Sequence, residues 1–65
     1  MLISDREIWT AAKLLIERHG SDAAIEAARR IDRMLYRGDR EGQLVWQRVR
    51  LAIAALQAPA SGPPN

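Results

Sequence analysis

Apolar residues recur at helical spacing in three stretches of the chain, and nowhere do they alternate as in a strand. The central stretch, residues 23–37, reads AAIEAARRIDRMLYR. Ala24, Ala28, Ile31 and Leu35 follow the i, i+4, i+7, i+11 rhythm of one helical face, and Glu26, Arg29, Arg30, Arg33 and Arg37 fall opposite. This split predicts an amphipathic helix over 22–37, its alanine and isoleucine face in the core and its arginines in water. Gly20 and Gly38 bracket it, so the apolar runs on either side must fold back onto it.

The run before it predicts a helix over 5–19. Ser4 and Glu7 have the S-x-x-E spacing of a capping box, and Ile3 and Ile8 stand where a hydrophobic staple would close. Ile8, Ala12 and Leu15 form the apolar face, widened by Trp9, Ala11 and Ile16. His19-Gly20 supplies the stop, with Gly20 free to adopt a left-handed conformation. Ser21 or Asp22 can then cap the second helix directly.

The third helix is predicted over 41–57, after a tight GDREG turn in which Asp39 is the N-cap and Gly42 a weak helix former. Val45, Val49, Ala52, Ile53 and Leu56 make its main face, widened by Trp46. Leu44, Leu51 and Ala55 extend the other edge, and Gln47, Arg50 and Ala54 are left for water. Short links force antiparallel neighbours. The expected fold is therefore all-α: a three-helix up-down-up bundle over residues 1–57. The remaining APASGPPN, 58–65, is expected to be a disordered tail.

Composition narrows the picture. At 65 residues the chain is near the lower limit for one core, which seldom supplies more than ~3–5 kcal/mol without a staple. Cysteine is absent, which removes disulfides, thiolate metal sites and cysteine nucleophiles and leaves self-association open. The net charge is +2, unevenly spread. Residues 1–28 carry three basic against five acidic side chains, a balance of −2, and residues 29–65 carry seven against three, a balance of +4. No apolar run approaches a membrane span, and Asp5 and Glu7 interrupt what a signal peptide would need, so a soluble cytoplasmic protein is expected.

Candidate chemistry is sparse. Arg29, Arg30, Arg33 and Arg37 could track phosphates along one helix. The face offers no Asn, Gln, Ser or exposed aromatic to read or stack on bases, so a solvated face supported by the Glu26–Arg30 spacing is the simpler reading. A helix-turn-helix would have to read through Gln43, Gln47 and Arg50 of the third helix, beside a leucine flank ill suited to DNA. His19 has no catalytic or metal-binding companion and stands where an imidazole suits a helix C-terminus. Asp32 and Arg48 lie at the edges of apolar faces, where a charge needs a partner. Pairing with each other, or of Asp32 with the Trp46 indole, is expected. Trp9 and Trp46 read as core aromatics rather than walls of a ligand pocket.

Ile8-Trp9 with Ala11-Ala12, then LLIERHGSDA, ARRIDRML, GDREG, VWQRVRLAI and LQ, form a layout over about residues 7–57. It resembles a family of short uncharacterised bacterial proteins, common in alphaproteobacteria, with an HG…A…A…GD..G..VW..I..AI..L pattern. The resemblance implies a short helical fold and carries over no activity and no binding residues.

The expected function is that of a small non-enzymatic interaction module, binding itself or a protein partner through helix three, at Leu44, Leu51 and Ala55. No catalytic, cofactor or metal site is expected. The alternative is a nucleic-acid-binding module using the arginine face of helix two or a helix-turn-helix.

Overall fold

Helix formation starts where side chains satisfy the first free amides. The computed structural model describes residues 4–58, and in it the chain is all-α. The first helix, α1, spans Asp5–His19. Its capping box is complete: Ser4 Oγ accepts from the Glu7 amide at 3.3 Å, and Glu7 Oε1 accepts from the Ser4 amide at 2.9 Å. The Ile3 half of the expected staple lies outside the described residues.

The next junction differs from expectation. Gly20 has φ 57°, ψ −128°, a positive φ but not the left-handed helical well. No loop follows. Gly20–Asp22 make one 3-10 turn, the Ala23 amide donates to Gly20 O, and the chain passes straight into α2, Ala23–Arg37. Asp22 makes no side-chain cap, because the tightened turn already satisfies the backbone. Thus α1 and α2 are one helical run bent at Gly20 rather than two looped helices.

At the other end of α2 the stop is sharp. Gly38 is left-handed at φ 72°, ψ 23°. Its amide donates to Leu35 O at 3.0 Å and the Asp39 amide to Met34 O at 2.8 Å, the two bonds of a Schellman motif. Asp39 then caps α3, Arg40–Gln57, its Oδ1 accepting from the Gly42 amide at 2.8 Å.

From this turn α3 runs back along α2, bringing Gly42 against Met34 and Trp46 against Arg30. Two contacts tie α1 to the second half of α3. Asp5 pairs with Arg48 at one end, and Gln57 Nε2 donates to Gly20 O at 2.8 Å at the other. So α1 and α3 run the same way.

The buried core is Ile8, Ala12 and Leu15 from α1, Ala23 and Ala27 from α2, and Val49, Ala52 and Ile53 from α3. Alanines at 23 and 27 let the backbones approach closely. The apolar face of α2 is therefore rotated by one residue from the Ala24, Ala28, Ile31, Leu35 stripe that periodicity predicts. Ala24, Ala28 and Ile31 are half-buried, and Leu35 is 61% exposed. The α3 face is as expected at Val49, Ala52 and Ile53, Val45 is half-buried against them, and Leu56 is exposed. No described helix is long and apolar enough to cross a membrane.

Candidate interaction surface

The outer edge of α3 carries the exposed apolar residues that periodicity singled out. Leu51 is 67% exposed and Leu44 53%, and Ala55 is exposed one turn beyond Leu51. Leu51 and Ala55 border an open groove of about 370 Å³ between α1 and α3. Its floor is Ile8 and Ala52, its far wall is Trp9, and the Asp5–Arg48 pair closes one end. Leu44 lies outside that groove, two helical turns earlier on the same edge, beside a smaller depression of about 270 Å³ bordered by Arg40, Gln43 and Gln47. The three edge residues thus share a face but not a cavity.

Trp9 is the residue that sequence reasoning misplaced here. It was expected in the core, yet it is 41% exposed and forms a wall. Its signal was its place at the margin of the Ile8, Ala12, Leu15 stripe, where a large ring reaches over the boundary. Trp46, in contrast, is half-buried and packs against the core. Arg48 pairs with Asp5 of α1, not with Asp32, which is exposed on α2. That partner is 43 residues away in sequence and is set only by how α1 lies on α3.

The arginine face is less uniform than its spacing predicts. Arg30 is no free cation: its Nε donates to Glu26 Oε2 at 3.1 Å, and its guanidinium lies over the Trp46 ring, 4.7 Å from the centroid. Arg29 stands 3.7 Å from the same carboxylate. Arg33 and Arg37 are exposed and have no ion pair among the described residues. Among the described residues they are the two of these four arginines without a charged partner.

A polar notch of about 180 Å³ lies at the bend, bordered by His19, Asp22, Ile25, Glu26 and Arg29. The hydrogen bond from Arg30 holds the Glu26 carboxyl below its ordinary pKa, outweighing the opposing desolvation, and Arg30, His19 and Arg29 add charge attraction. Glu26 is accordingly an ionised acceptor, not a proton donor, near neutral pH. Among the described residues no group of three or more His, Asp or Glu is placed to hold a metal ion. What the surface can do chemically is bury apolar area on α3 and meet anions with Arg33 and Arg37. No family model, curated protein or solved structure matches the chain.

Proposed function

We propose that the chain is a small, non-enzymatic helical interaction module of the cytoplasm that engages protein through the exposed edge of α3. Its architecture, on this reading, is a short up-down-up bundle, in which α1 and α2 shelter one side of α3 and leave the other to a partner. The observation that carries the reading is Leu51, a leucine two-thirds exposed beside an apolar groove walled by Trp9. Large apolar residues clustered in this way mark interaction surfaces more often than singly scattered ones do. The absence of cysteine fits a reducing compartment.

A photo-crosslinking amino acid placed at position 51 tests it. In extract of the native host, irradiation should yield discrete protein adducts from position 51 and none from position 33, exposed on α2. Equal, diffuse labelling from both positions would count against α3 as the docking edge.

Arg33 and Arg37 support a second reading, phosphate contact by α2. It is the weaker one, because Arg30 is engaged by Glu26 and Trp46 and, among the described residues, only Arg33 and Arg37 of that face lack an ion pair. Binding of duplex DNA that falls steeply with salt, and falls further in Arg33→Ala/Arg37→Ala, would favour it.

A further inference from the structure

We propose, on the reading of α3 as a docking edge, that its occupant is a second copy of this chain, lying antiparallel along α3 with Leu44 of each copy seated over the partner's Ala55. The size of the core points this way. Of the eight buried apolar residues among those described, four are alanines, so these residues bring little side-chain area into the core. Small domains make up such a deficit with disulfides, metals or association, and cysteine is absent here. Trp9, Leu44 and Leu51 keep much of their surface in water, and a two-fold contact would cover six such side chains at once.

The distribution of side-chain size along the edge selects the direction. Leucines stand at 44 and 51, and alanine at 55. A parallel pairing would set Leu44 against Leu44 and Ala55 against Ala55, crowding one end and leaving a gap at the other. An antiparallel pairing sets large against small at both ends and makes each contact twice. Ala55 also borders the groove beside Trp9, so an incoming leucine meets an existing depression and not a flat helix. The same register brings Leu51 over the partner's Arg48. That guanidinium is already held by Asp5, so covering its aliphatic stem strands no charge.

The test uses the full chain. Sedimentation equilibrium from about 1 μM to several hundred micromolar should show the mass rising from 7.3 kDa toward twice that value, as mass action requires. Leu51→Glu and, separately, Ala55→Glu should each weaken association by roughly 100-fold or more, because a carboxylate would lose water without gaining a partner. Both should keep wild-type helicity by circular dichroism, since both positions are exposed. Register is read by oxidation. A mixture of Leu44→Cys and Ala55→Cys chains should form the mixed disulfide, and Leu44→Cys alone should not form a disulfide dimer. A constant monomer mass over the whole range, or a dimer indifferent to both glutamates, overturns the proposal. Ready homodimeric cross-linking of Leu44→Cys overturns its antiparallel form. A monomer that still gives host-protein adducts from position 51 overturns the second copy alone and leaves the docking edge intact. A monomer that gives none overturns both.

Discussion

The Arg30 guanidinium lies over the indole of Trp46, 4.7 Å from the ring centroid, and its Nε donates to Glu26 one turn earlier on α2. This stack joins α2 to α3 at the margin of the buried core. A flat, weakly hydrated cation with an aliphatic stem can cover an aromatic face while its charge stays near water.

Trp46→Ala should therefore destabilise the fold by about 2–3 kcal/mol, less than the ~3–5 typical of a fully buried aromatic, because the ring is only half-buried. Arg33→Ala, on the exposed side of α2, should stay within roughly 0.5 kcal/mol of wild type. A double-mutant cycle joining Arg30→Ala with Trp46→Leu should show a coupling of about 0.5–1 kcal/mol. Urea denaturation measures all of these. Equal losses from Trp46→Ala and Arg33→Ala would mean that the stack is not what joins the helices.

Glu26 makes stability depend on pH with a definite sign. Its carboxyl pKa is lower in the folded chain than in the unfolded one, chiefly through the Arg30 hydrogen bond. Its contribution is thus fully present above the ordinary carboxylate range and is lost as pH falls through the lowered folded value. The thermal midpoint of wild type should exceed that of Glu26→Gln at pH 7, and the gap should close in acid. A gap that widens on acidification would reverse the assignment.

Gly42 is in the first turn of α3, where helix propensity alone favours alanine by about 1 kcal/mol. A Cβ there would meet Met34 Sδ at 2.6 Å and the Asp39 carboxylate at 2.8 Å. The methionine can move aside, but Asp39 is held in place by its bond to the Gly42 amide. Gly42→Ala should consequently destabilise by roughly 1 kcal/mol, comparable to loss of the cap itself in Asp39→Ala. A gain in midpoint for Gly42→Ala would show that the turn has room to spare.

The phase of α2 is open to a paired test. Ala27 is fully buried, so Ala27→Leu should overpack the helix crossing and cost about 1–3 kcal/mol or more. Leu35→Ala, at a largely exposed site, should change stability by less than about 0.5 kcal/mol. The reverse order would restore the Ala24, Ala28, Ile31, Leu35 face as the core.

Local chemistry was legible in the residues alone. The Ser4–Glu7 box, the Gly38 stop and the Asp39 cap involve partners within five positions, so spacing determines them. The helical class and the bounds of α1 and α3 follow from periodicity to within a residue. So does the edge of Leu44, Leu51 and Ala55 on α3, because each is displaced from the strong Val49, Ala52, Ile53 stripe. The phase of α2 was not legible. It carries alanine at 23 and 27 as well as at 24 and 28, two nearly equivalent small faces, and only the approach of α3, with Trp46 beneath Arg30, selects between them. The bend at Gly20 likewise depends on how α1 settles on the far half of α3, fixed by Asp5 on Arg48 and Gln57 on Gly20. Those pairs are 43 and 37 residues apart. No short-range pattern records a contact at that separation, because it is decided by which surfaces fit once the helices exist.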